Sequence, residues 1–226
     1  MTDQSTLTSL PPASAPNHDR PSTGRLLILA AAAGPIYVGV GVVEALTRRG
    51  FSLAHHDLSL LSNGALGWVH STLLGITGLL VITGAVGIGR AAPGSAWGRR
   101  LLTVYGAGLC GAGMFRADPM NGFPPGTAAG RPAHVSWHGN LHFLTGAVAF
   151  IALIAACVIF SRLFGRSGQP RRAQWSLFTG LAFTAAFVGI ATGSSSAAVV
   201  IAFEIAVVLS FAWLTWLATV LHGDLR

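Results

Sequence analysis

The chain has 226 residues, of which 52% are hydrophobic and 9% charged, where a soluble domain carries roughly a quarter charged residues. That balance excludes a water-soluble globular protein and marks an integral membrane protein. The formal charge of +7 comes from arginine alone; the lack of lysine excludes a Schiff-base lysine for retinal or pyridoxal chemistry, and arginines placed at the ends of apolar runs set orientation, so nucleic acid is not an expected partner.

In chain order, residues 1–24 are rich in Ser, Thr and Pro without apolar periodicity, which predicts a disordered cytoplasmic tail. A cleaved signal peptide does not fit, because Asp3 and Asp19 precede the first apolar run and that run ends in A-L-T-R-R without a small-residue cleavage pattern. Six apolar runs follow at residues 26–46, 63–89, 101–115, 132–160, 175–192 and 197–221, the third short and the fourth long against the roughly 20 residues that cross a hydrocarbon core. The expected fold class is all-α, a polytopic membrane protein with a six-transmembrane-helix bundle over residues 25–222 and a short cytoplasmic C-terminus at 223–226. Gly106, Gly108, Gly111 and Gly113 in the third run suit close helix packing in lipid. Cys110 and Cys157 fall inside apolar runs and read as buried thiols. Trp68 and Trp137 read as interfacial anchors on one side, Trp97 and Trp175 on the other.

With the N-terminus inside, ten of the 14 arginines fall on the cytoplasmic side, and Arg48, Arg49, Arg116 and Arg131 fall on the opposite one. Short loops obey the positive-inside rule, so both termini are expected in the cytoplasm of a multi-pass cell-membrane protein. The loop holding His55-His56-Asp57 and the loop from Arg116 to Arg131 are then both outside. Glu44, His70, His138, His142 and Glu204 fall near that face at similar depth. An ionisable group in hydrocarbon costs several kcal/mol unless paired or facing a cavity, so their clustering predicts one outward-facing polar pocket.

Within that pocket, His138 and His142 stand four residues apart on one helical face. Such a pair is a workable chelate for a divalent ion such as zinc, with His70 as third ligand, and it also serves as interhelical hydrogen-bond glue. Asp118 precedes Pro119, which ends the third helix in a turn. Its catalytic reading is to orient a metal-activated water, beside His56 and Asp57; its structural reading is a cap or turn carboxylate paired with Arg116 or Arg131. Pro132 is expected in the first turn of the fourth helix, which puts His134 at the helix mouth, and Ser62 or Asn63 is expected to cap the second. The leading function class is a metal-dependent hydrolase or transferase acting on a lipid-like substrate in contact with membrane lipids. The alternatives are a haem protein with His70 and a fourth-helix histidine on iron, a proton-coupled transporter using Glu44, Glu204 and the histidines, and a non-catalytic scaffold subunit.

The segments H-D-L-S-L-L-S-N-G-A-L-G-W, F-R-A-D-P and H-x-x-x-H occur in an order that resembles an uncharacterised family of archaeal and bacterial membrane proteins known only as a domain of unknown function. That resemblance implies a six-helix fold and brings no activity with it. A weaker resemblance is to the ceramidase and adiponectin-receptor superfamily of membrane hydrolases, which implies zinc held by three histidines, with His138 and His142 in the place of the paired histidines and Asp118 in the place of the aspartate. The chain departs from that pattern in having six expected spans instead of seven and its histidine pair on the fourth helix instead of the last.

Overall fold

The computed structural model describes residues 19–193 and 195–226. In them the chain forms six α-helices, α1 (Asp19–Thr47), α2 (Gly67–Ala91), α3 (Ala96–Met114), α4 (Trp137–Arg166), α5 (Pro170–Ala191) and α6 (Ala197–Gly223), with a 3₁₀ helix at Leu58–Ser62 between α1 and α2. Short connections make sequence neighbours pack side by side, and α6 returns onto α1, closing the helices into a ring. Five of the helices are long and apolar enough to cross a membrane. The sixth, α3, has 19 residues, with Arg99 and Arg100 in its first turn and a glycine-rich second half that lowers its apolarity. It lies between α2 and α4 with Leu102 and Tyr105 buried, and its length of about 28 Å matches a hydrocarbon core.

Polarity is distributed as lipid requires. Val43, Leu79, Ile151, Leu181 and Ile205 are each more than half exposed on the outside of the ring, an arrangement that water would penalise and acyl chains do not. With no hydrophobic effect to pull helices together in lipid, close packing has to hold them. At the α2–α3 crossing the two backbones touch: a Cβ on Gly78 would stand 2.5 Å from the Gly106 carbonyl oxygen, and one on Gly106 would stand 2.7 Å from that of Gly78. The fully buried Trp213 indole donates to Ser176 Oγ at 3.0 Å, which ties α6 to α5 without leaving a polar atom unmet.

Five helix starts differ from the sequence expectation; α3 and α5 begin earlier, at Ala96 and Pro170, and the other three have a cause in particular residues. Helix α1 begins at Asp19, because Pro21 sits in the first turn, where a missing N–H is harmless, and Arg90 donates to Ser22 Oγ at 3.4 Å. Residues 1–18 of the expected tail lie outside the described residues. Helix α2 begins at Gly67, not at a Ser62 or Asn63 cap, since residues 58–62 coil into the 3₁₀ helix and the Asn63 side chain is drawn away to donate to the Ala117 carbonyl at 3.0 Å. Helix α4 begins at Trp137, not at Pro132, because the Ser136 hydroxyl accepts the Gly139 N–H at 3.0 Å and acts as the N-cap. Pro132 and His134 are left in the preceding loop.

Replacing Gly78 by Val forces the α2 and α3 backbones apart, and overpacking of this kind costs about 1–3 kcal/mol. A Cβ on Gly39 meets nothing within 4 Å, so Gly39→Val serves as the control. The expected result in detergent is a lowered unfolding midpoint for Gly78→Val and an unchanged one for Gly39→Val; equal midpoints would contradict the close approach.

Candidate functional site

The two polar loops, residues 48–66 and 115–136, meet over one end of the ring and are stitched together there. His56 is buried. Its Nδ1 accepts the Ser52 N–H at 2.9 Å and its Nε2 donates to the Asn121 carbonyl at 2.9 Å, so both ring nitrogens are used and the tautomer is fixed. The His56 ring also packs with Phe51 and Phe123, at centroid separations of 5.3 and 5.5 Å. Arg48 donates to the carbonyls of Leu61 and Asn63 and lies 5.7 Å over the Phe123 ring. These contacts hold the second loop down as a cover.

Beneath the cover, the buried His70 donates from Nδ1 to Glu44 Oε2 at 2.9 Å, and Glu44 also meets Arg48 at 3.5 Å. Asp118 works at the head of α4, where Oδ2 accepts the Ser136 N–H at 2.8 Å and Oδ1 accepts the Ser136 hydroxyl at 2.5 Å. The same hydroxyl meets His138 Nδ1 at 2.8 Å. Ser136 therefore donates once and accepts twice, which exhausts a hydroxyl, so the Asp118–Ser136–His138 cluster is a capping knot and offers no free nucleophile. One turn further on, the His142 Nδ1–H points at the carbonyls of Ala112 and Phe115, at 3.1 and 2.8 Å. Those are carbonyls that the end of α3 leaves unpaired.

The ring encloses a cavity of about 660 Å³. Its wall along α4, α5 and α6 is aromatic, with Phe150, Phe183 and Phe203 in mutual contact at 5.1–6.1 Å and Phe187 beside them, and Tyr37, Tyr105, Ser210 and Phe211 line it further from the loops. Its mouth is lined by His55, Asp57, Arg131, His142 and Glu204. Glu204 Oε1 accepts the Leu58 N–H at 2.9 Å, so α6 anchors the 3₁₀ helix whose N-cap position is Asp57. Burial lifts the Asp57 carboxyl above its ordinary 3.8, with Arg131 and His56 pulling in the opposite direction.

The structure thus brings Asp57, His142 and Glu204 to the cavity and places His56, Asp118, His138 and the Glu44–His70 pair in the scaffold around it. His70, His138 and His142, read from the sequence as metal ligands, each commit Nδ1 to a different partner. Among the described residues no group of three His, Cys, Asp or Glu side chains is arranged to hold a metal ion. A bond at Nδ1 leaves Nε2 of each ring over, but the three rings are not assembled as one ligand set among the described residues. Sequence reasoning missed Arg131 as a cavity residue and the aromatic wall altogether. Phenylalanines in apolar runs carry no signal that separates a cavity wall from packed core. The Ser136 cap did carry one, a serine directly before an apolar helical run.

An all-helical membrane bundle with polar groups gathered over an aromatic cavity at one end is a polytopic membrane protein with a single-ended internal site. The family whose description is Protein of unknown function (DUF998) matches residues 31–220, and the chain belongs to it. No curated protein and no solved structure matches the chain. The resemblance read from the loop segments agrees with this family, and none of the comparisons reaches the ceramidase and adiponectin-receptor superfamily.

Removing the partner of the α4 cap with Asp118→Ala takes two hydrogen bonds from the half-buried Ser136, an expected loss of about 1 kcal/mol, read as a lowered midpoint of thermal unfolding in detergent. Asp57 gives a signed pH dependence. Its folded carboxyl holds a proton that the unfolded chain releases, so its contribution to stability falls as pH rises from 3.8 through the raised folded value. Asp57→Asn is therefore expected to melt higher than wild type at about pH 7.5, with the difference closing toward about pH 4; a constant difference across that range would contradict it.

Proposed function

We propose that this protein admits a lipid-like amphiphile from the bilayer into the cavity and acts on its polar end as a hydrolase or transferase. The site faces the outside of the cell membrane, and both chain termini lie in the cytoplasm. The supporting observation is the cavity itself, with an aromatic wall for a tail and ionisable groups toward the loops, at about 660 Å³ within the roughly 300–1,000 Å³ of small-molecule sites. The orientation rests on the arginine asymmetry of the loops.

His142 supplies the base. Its Nδ1–H is held by two carbonyls, which fixes the neutral tautomer and leaves the Nε2 lone pair for a substrate hydroxyl or a water. A base oriented by a third group is the arrangement on which nucleophile activation depends. Arg131, at the rim, stands where the most polar part of a headgroup would emerge.

The test exploits Gly146, which lines the cavity and has open space where its side chain would be. Gly146→Phe fills the cavity without pushing on backbone. Wild type purified in nanodiscs is expected to carry one lipid class at close to one molecule per chain by mass spectrometry, and to convert it on incubation with a membrane lipid extract. The variant, folded with an equal or higher melting temperature, is expected to carry and convert none. Identical bound lipid and identical extract composition for the two proteins would end this reading.

A further inference from the structure

The mouth of the cavity contains two carboxyl groups whose hydrogen bonding is incomplete. Glu204 is only 9% exposed; its Oε1 is taken by the Leu58 N–H, while its buried Oε2 has no partner. Asp57 Oδ1 is likewise buried and unpartnered. Both residues line the cavity and lie within electrostatic reach of each other. A buried acceptor without a donor is a standing penalty, and two of them on the wall of one cavity describe the complement of a guest that brings donors.

The charges narrow the guest further. Arg131 interacts with Asp57 electrostatically, but it stands at the rim, packed on the backbone at Gly193 so closely that a Cβ there would collide with its guanidinium. Among the described residues the ion pairs are Arg48 with Glu44, His70 with Glu44, and Arg172 with Asp224; neither Asp57 nor Glu204 is matched in this way. Two carboxyl groups face one arginine across the mouth. A carboxylate or phosphate guest adds no donor to either of the bare oxygens. A hydroxyl brings one donor and no charge. A protonated amine brings three donors and a positive charge that favours the ionised form of both carboxyls, and its acyl or alkyl chain then runs along Phe150, Phe183 and Phe203.

We propose that the Asp57–Glu204 pair is a seat for an ammonium group, so that the substrate is a long-chain amphiphile carrying a primary amine next to its tail. This rests on the amphiphile reading above and names its headgroup. His142 then faces the bond beyond the amine-bearing carbon, and Arg131 faces whatever anionic or polar group lies further out.

The experiment uses full-length protein in nanodiscs of neutral phosphatidylcholine, with empty discs subtracted, and three tritiated probes that share one chain: hexadecylamine, hexadecanol and palmitate. A charge-assisted hydrogen bond gained by the amine corresponds to a preference of about tenfold or more over both other probes. Asp57→Asn and Glu204→Gln, each checked for a cooperative melt no lower than that of wild type, are expected to shrink that ratio to about threefold or less. Palmitate or hexadecanol binding as tightly as the amine to wild type overturns the proposal even if neither variant folds. A ratio that survives in both folded variants overturns it as well. Saturable binding of all three probes with no preference leaves the amphiphile reading standing while this one fails; absence of saturable binding by any of them sinks both.

Discussion

The end of the bundle that carries the site depends on one buried chain of charge, Arg48 to Glu44 to His70. Arg48 and Glu44 sit one helical turn apart at the close of α1, their side chains 9% and 8% exposed, and Glu44 reaches across to the wholly buried His70 of α2. Breaking such a chain by removing one member strands a charge in a medium that solvates it poorly, so the register of α1 against α2 is fixed where the loops begin. Arg48 then spends its remaining donors on the carbonyls of Leu61 and Asn63, which folds residues 48–66 back over the ring, and its face on Phe123, which brings the second loop over the first. Asn63 completes the connection through Ala117. The cover over the cavity is thus a consequence of satisfying one arginine.

Inside the ring the opposite rule holds. The helices are joined by small-residue contacts and by few polar links, such as Trp213 to Ser176, and the space they leave is walled by aromatic rings. Several polar groups around the cavity are saturated: His56 uses both nitrogens, Ser136 all three of its hydrogen-bonding positions, and Asp118 both oxygens. Buried atoms without a partner occur on the cavity wall, at Asp57 Oδ1 and Glu204 Oε2, and also away from it, at His70 Nε2 and Thr77 Oγ1 among others.

The expectations legible in the sequence are those local to one segment. Six helices follow from runs of apolar residues long enough for a bilayer, and the depth of Glu44, His70, His142 and Glu204 follows from counting turns along those runs, because both quantities are local to a segment. The roles of His138 and Asp118 do not follow, because a histidine four residues before another is compatible with a chelate and with a capping knot alike. The His138 contact with Ser136 depends on where α4 starts. The start in turn was set by a serine cap that won over the proline four residues earlier.

By itself the sequence determined the membrane class, the number and order of helices, and the gathering of ionisable groups toward one end, since each is a property of composition and of helical rise. The family match over residues 31–220 rests on the same linear information. Only the tertiary structure decided which of those groups are used up and which are free, because a hydrogen bond between Glu204 and Leu58 spans 146 positions of chain. It also decided that the phenylalanines of α4, α5 and α6 surround a space instead of filling one, since a cavity is the volume that the packing of several helices leaves over and no single segment encodes it.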